Sequence, residues 1–287
     1  MTSSTKKTGV GTQTPAIRWE TPSTWEPDLA AWLGEFWLPS GLNRMRGRRS
    51  PGSPWDDPIW LKLLERYTGC EIDYLAEAWA ADWGGRFIRV YHGCRTEDAG
   101  TYFRNGIKPH DRAELVAAVW NLVRRFPDLR NAGPGIEQRL DRINREGTDQ
   151  GRVFLALDHR NTIERDGHYV IYGSEFIGCV LGDYHRRLLR RIGAPTFIEV
   201  DLPLSSVLPG LQIELGKRLF AEWTRRQLCR PDRVPILDFT FTLHGSVKAE
   251  WIVGHSHPTR AFDCWDGNAM RELSANRCAH CREVTSG

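Results

Sequence analysis

The chain has 287 residues, with 39 Lys and Arg against 36 Asp and Glu, and a formal net charge of +3. Its hydrophobic share of 40% and charged share of 26% describe a soluble globular protein with enough apolar mass for a core. No run of about 18 apolar residues is present, which excludes a membrane-spanning helix, and so small a net charge does not by itself imply nucleic acid.

Residues 1–22 are polar and lack an apolar h-region, so a disordered tail without a secretory signal is predicted. Seven cysteines, an odd number, speak against a secreted disulfide framework and for reduced thiols in a cytoplasm. Residues 23–85 read as a helical extension rich in tryptophan: Trp25, Trp32, Trp37, Trp55, Trp60, Trp79 and Trp83. Breaks fall at Pro39-Ser40-Gly41 and at Ser50 to Pro54. Ile59-Trp60-Leu61 with Leu63-Leu64 forms the apolar face of one helix, and Tyr74-Leu75 with Ala78-Trp79-Ala80 suggests another. The tryptophans read as core packing; the alternative is an aromatic surface that stacks on bases or a partner. Basic runs at 43–49 and 185–191 read as a solvated loop and helix face, or as contacts to phosphates of a dinucleotide or polynucleotide.

From Arg86 onward, short strands alternate with irregular helices. Phe87 to Arg95 reads as a strand in which Ile88, Val90 and His92 share one face. A short helix follows, with Thr96 placed to cap it and Gly106 to end it. Helical runs are predicted at 114–126 and 136–145, separated by Gly133-Pro134-Gly135. Strands follow at 153–157 and 196–200, a helix opens within 169–181, and a helix basic on its outer side spans 211–229. A hairpin is predicted from 236–243 and 247–253 around His244-Gly245-Ser246. Alternation in its second arm puts Lys248, Glu250 and Ile252 on one face, and Val247, Ala249, Trp251 and Val253 on the other. Glu250 then either lines a cleft or pairs with Lys248. The order of elements is that of an α+β protein, not a doubly wound sheet. No Gly-x-Gly-x-x-Gly follows a strand, and there is no Walker loop.

Tyr91-His92-Gly93-Cys94, followed by Gly106-Ile107, resembles the first motif of the ADP-ribosyltransferase superfamily. The branch is the His-Tyr-Glu one, that of diphtheria toxin and the poly-ADP-ribose polymerases. Gly151 to Leu157 is similar to the strand of the second motif, with Phe154 where a tyrosine is common, and Gly167 to Ile177 to the element after it. Val247 to Val253 resembles the late strand that carries the catalytic glutamate, with Lys248 where arginine-directed branches carry Glu or Gln. The resemblance implies a split antiparallel-sheet core over residues 86–258, behind the helical extension and ahead of a cysteine-containing tail, 259–287. It implies NAD as substrate, with Tyr91, His92, Gly93, Arg95, Phe154, Tyr172 and Ser174 binding it. It assigns Glu250, His92 and Tyr172 to catalysis. Tyr169 is the alternative to Tyr172, and Glu175 and Glu199 are the alternatives to Glu250.

Cleavage of the nicotinamide N-glycosidic bond passes through an oxocarbenium-like state, which a nearby carboxylate stabilises more than the ground state. By resemblance, Glu250 serves that state, His92 bonds the nicotinamide ribose, Gly93 the carboxamide, Tyr172 clamps the ring and Arg95 reaches a phosphate. ADP-ribose then passes to a macromolecule, nucleic acid (DNA or RNA) before protein, as in a toxin or defence enzyme with a cognate inhibitor or antitoxin. An RNA 2′-phosphotransferase is a related alternative. From another class comes a non-catalytic nucleic-acid or partner-binding protein clipped by zinc. Cys278 and Cys281 form a Cys-x-x-Cys, and Cys264, His257 and His255 lie upstream as further ligand candidates.

Overall fold

A computed structural model describes residues 15–146, 151–273 and 278–284. Five strands form one antiparallel sheet: β1 (Phe87–Thr96), β2 (Val153–Ala156), β3 (Ala194–Pro203), β4 (Thr240–Leu243) and β5 (Ile252–Ser256), in the order β4-β2-β1-β3-β5. Two further strands, β6 (Arg260–Asp263) and β7 (Ala269–Glu272), pair with each other. The α+β class holds, and none of the described helices is long and apolar enough to cross a membrane.

β1 is the centre of the sheet. It pairs with β3 along its whole length, from Phe87 opposite Pro203 to Thr96 opposite Ala194, and with β2 at Tyr91 opposite Ala156. Residues directly opposite share a face, so Ile88 and Val90 join Leu202 and Val200 on one side, and Tyr91 and Gly93 join Glu199 and Phe197 on the other.

The first face packs on the helix Pro209–Cys229 and on the tryptophan-rich helices. Trp25, Trp60, Trp79, Trp83 and Trp223 are buried. Trp32 stacks on Phe220 at 5.9 Å, and Trp37 meets Trp223 at 5.7 Å. The helix Pro209–Cys229 faces the helix Ile72–Ala81 with Gly216 opposite Ala76, where a Cβ would meet that of Ala76 at an ordinary contact distance of 3.6 Å. The tryptophans are therefore core, and the helical region and the sheet share one cluster of buried residues. The second face carries a smaller core, built from the helices Arg112–Arg125, Gly133–Glu146, His168–Tyr172 and Glu175–His185.

Four sequence-based expectations change. Residues 15–22 are not a loose tail: Ile17 bridges Ile88, and Ile17 and Trp19 are buried. The cysteine-containing tail expected at 259–287 holds regular structure, the paired strands β6 and β7. Residues 236–253 form no hairpin; β4 pairs with β2 and β5 with β3, at opposite edges of the sheet. Thr96 does not cap the next helix, Gly100–Asn105, whose first amide is held by the Asp98 carboxylate.

Gly106 does end that helix, and its freedom is required. It sits at φ 72°, and a Cβ there would lie 2.0 Å from the Val247 carbonyl oxygen, because Ile107 bridges Val247. Gly106→Ala is expected to lower stability by at least about 1 kcal/mol. Gly210→Ala, at a position with no neighbour within 4 Å, should leave the denaturation midpoint nearly unchanged. Equal midpoints for both variants would contradict this reading of the Gly-Ile pair.

Candidate active site

Beside β1 lies a cavity of about 660 Å³ that takes lining residues from both faces of the strand, His92 from the first and Gly93 from the second, together with Phe154, Tyr169, Ser174 and Glu175 among others. His92 lies on β1 and is half-buried, its Nδ1 3.2 Å from the Phe154 carbonyl oxygen. A carbonyl only accepts, so Nδ1 carries the proton and donates, leaving Nε2 as an acceptor. Burial pushes the His92 pKa down, which keeps the ring neutral at pH 7.

Gly93 lies on the opposite face from His92, where it meets the helix His168–Tyr172. A Cβ at Gly93 would touch Tyr169 Cβ at 3.2 Å and Val170 at 3.4 Å. The absent side chain therefore lets this helix lie against β1. The helix stops at Gly173, φ 83°, and Ser174 caps the next one, Glu175–His185, by accepting from the Ile177 amide. Glu175 is thus the first residue of a helix, where a negative charge is favoured. Its Oε2 accepts from the Tyr169 hydroxyl at 2.9 Å and lies 3.9 Å from His168 Nε2. His168, and then Tyr169, hold the Glu175 carboxyl below the usual carboxylate range, so it is an anion at pH 7.

Asp166 lines the same cavity in the opposite electrostatic condition. Burial raises its pKa, and the carboxylate of Asp238 adds to the rise. Asn161 Nδ2 donates to it at 3.1 Å. One cavity thus holds two carboxyls whose pKa values are shifted in opposite directions, Glu175 down and Asp166 up, which makes Asp166 the better proton acceptor of the two. A third carboxylate in the wall, Asp158, is structural: Arg160 grips it with two nitrogens, and it accepts from the Arg160 and Leu237 amides.

Several sequence-assigned residues have other employment. Glu250 is not on a strand: it sits in the 3-10 turn Ala249–Trp251, with its side chain exposed and 3.6 Å from Lys248, outside the cavity lining. The physical reason is the bridge from Val247 to Ile107, which pins the chain just before a turn closed by Trp251 donating to the Lys248 carbonyl. Glu199 pairs with Arg89 at 2.9 Å and is likewise not among the lining residues.

Tyr172 is buried and not among the cavity-lining residues; it donates to Asp263 at 2.8 Å, with its ring stacked on Trp265 and Arg190 against its hydroxyl. Burial pushes its pKa up to about 12. Tyr169, three residues earlier, is the tyrosine that faces the cavity. Tyr91 contributes its ring to the wall, but its hydroxyl donates to Glu20 at 2.6 Å. Arg95 lines the cavity, yet its guanidinium is spent on the carbonyls of Val170, Ile171, Arg190, Ile192 and Gly193. Burial lowers its pKa to about 10, and no reach toward a phosphate remains.

Three of the four arginines in the basic run at 186–191 are paired with carboxylates in place. Arg186 pairs with Asp183, Arg187 with Asp266, and Arg190 with Asp263 and Asp266. Cys264 stands apart from the other thiols, 3.5 Å from His168 Nδ1, whereas Cys278, Cys281, His255 and His257 converge. Sequence reasoning missed Asp166, His110, Arg112 and Tyr102, all of which line the cavity. The one signal for Asp166 was its place immediately before the Gly167-His168-Tyr169 motif.

Comparison of the chain with protein-family models, curated proteins and solved structures yields no match.

Side-chain carboxyl titration by NMR should place Glu175 below, and Asp166 above, the values of the free side chains. His168→Ala should raise the Glu175 value, because the first group favouring its anion is gone. Unshifted curves for both carboxyls would contradict the assigned electrostatics.

Proposed function

We propose that the chain is an NAD-dependent ADP-ribosyltransferase whose chemistry runs in this cavity, with Glu175 in the role that the sequence resemblance assigned to Glu250. The observation that carries the reading is the meeting of a neutral His92, Tyr169 and an ionised Glu175 in one pocket. In this reading His92 Nε2 accepts from a ribose hydroxyl of NAD. The Tyr169 ring offers a flat face to the nicotinamide. The Glu175 carboxylate sits where positive charge grows on the ribose as the C1′–N bond breaks, and stabilises that state more than the bound ground state. The bonding pair leaves with nicotinamide, whose ring loses its charge. The acceptor's lone pair closes on C1′, and Asp166 takes the proton the acceptor sheds. Arg112 and His110, in the same wall, are suited to the anionic diphosphate.

The acceptor is a macromolecule, and its class is less bound to nucleic acid than the basic runs suggested, since Arg186, Arg187 and Arg190 are already paired with carboxylates. The RNA 2′-phosphotransferase alternative needs several arginines free for phosphates, and the commitment of Arg95 to backbone carbonyls weakens it.

Release of nicotinamide from NAD tests the proposal. Glu175→Gln is expected to lower turnover about 10²–10³-fold while leaving NAD affinity within a few-fold. Glu250→Gln should turn over like the wild type. Wild-type protein that releases no nicotinamide, or a Glu175→Gln variant as fast as wild type, would overturn it.

A further inference from the structure

The Cys-x-x-Cys of the C-terminal segment meets two histidines of β5 and the loop after it. The ligand atoms of His255, His257, Cys278 and Cys281 all lie within 4.8 Å of one another. The two sulfurs are 3.9 Å apart. Sulfur–nitrogen separations are 3.0 Å for Cys281 to His255, 3.4 Å for Cys281 to His257, and 3.7 Å for Cys278 to His255. Bonds of about 2.3 Å to sulfur and about 2.0–2.1 Å to nitrogen, at tetrahedral angles, set sulfurs about 3.8 Å and sulfur and nitrogen about 3.6 Å apart. The sulfur–sulfur distance and the Cys278–His255 and Cys281–His257 distances lie within about 0.2 Å of these values, and Cys281 must move about 0.6 Å away from the His255 nitrogen to seat an ion.

The surroundings suit ligation as well. His257 Nδ1 donates to the Pro195 carbonyl oxygen at 2.7 Å, which leaves its Nε2 lone pair free to face the Cys281 sulfur at 3.4 Å. Metal-binding histidines are held in their tautomer by such an outer bond. Two thiolates and two imidazoles select zinc over the oxygen-loving cations, and four protein ligands leave no open position for catalysis. None of the seven cysteines is in a disulfide.

We infer that His255, His257, Cys278 and Cys281 bind one structural zinc ion, which clips the C-terminal segment to β5 and braces the helix Gly100–Asn105. The bracing follows from contacts around the cluster. Phe103 of that helix stacks on His280 at 5.2 Å and meets His255 edge-on at 5.9 Å. The Ala279 amide donates to the Glu97 carbonyl oxygen at 2.8 Å. One residue before Phe103, Tyr102 lines the cavity and lies 6.4 Å from the His92 ring. The clip therefore supports one wall of the cavity from outside, and Cys264 has no part in it. The inference stands whether or not the cavity handles NAD.

Elemental analysis of the full-length protein, purified without added metal, is expected to find about one zinc per chain. Cys278→Ser and Cys281→Ser should lose it, and Cys264→Ser should keep it. Wild-type protein loaded with cobalt in place of zinc should show the intense visible bands of a tetrahedral site and a thiolate-to-cobalt band. That measurement does not depend on the variants folding. Chelation should speed hydrogen exchange across Gly100–Asn105. Metal-free protein with no tetrahedral cobalt spectrum would overturn the inference, as would iron in place of zinc or a Cys278–Cys281 disulfide.

Discussion

The contact on which the site depends is the approach of the helix His168–Tyr172 to β1 at Gly93. Any side chain at Gly93 would meet Tyr169 Cβ and Val170 at 3.2–3.4 Å, close enough that the helix would have to give by a few tenths of an ångström. With the helix seated, Tyr169 faces the cavity, Gly173 turns the chain at φ 83°, and Ser174 starts the next helix with Glu175 at its positive end. Tyr169 and the Glu175 carboxylate are thus held close to the strand that carries His92, because a glycine lets backbone elements pack closely. The motif glycine acts here through packing, a role distinct from the close ligand contact that its place in the resemblance implied.

Around that contact the protein separates charge by employment. Asp263 is fully buried and is held by Arg190, Arg271 and Tyr172. Asp158 is equally buried and is held by Arg160. Burying a carboxylate is costly unless it is paired and hydrogen-bonded, and both of these are. Glu175 and Asp166 belong to another kind. They face the cavity, and their shifts run in opposite directions, down through His168 for Glu175 and up through burial for Asp166. Such divergence inside a concave site is the observation on which the proposed chemistry rests.

Much of the fold was legible where local pattern decides. Ile88 and Val90 alternate as the centre of a sheet requires, and Leu115, Val119, Leu122 and Val123 mark the helix Arg112–Arg125. The tryptophans fill a core, as their bulk suggests. The errors arose where distant residues decide. Glu250 follows Val247, whose partner Ile107 lies far back in the chain, so strand alternation does not extend through it. β4 and β5 read as a hairpin because they are neighbours in sequence, yet each finds its partner elsewhere. The choice between Tyr169 and Tyr172 turns on which side of a one-turn helix meets β1, and that is set by packing on Gly93. The same holds for His255, which only the return of the C-terminal segment brings to Cys278 and Cys281.

The central proposal is one of place, that a dinucleotide binds between His92 and Glu175, against Tyr169. A crystal structure with a non-hydrolysable NAD analogue tests it most directly. The account predicts the nicotinamide riboside end within hydrogen-bond reach of His92 Nε2, with the Glu175 carboxylate beside C1′. An analogue seated at the exposed turn that carries Glu250, or one that leaves this cavity empty, would contradict it.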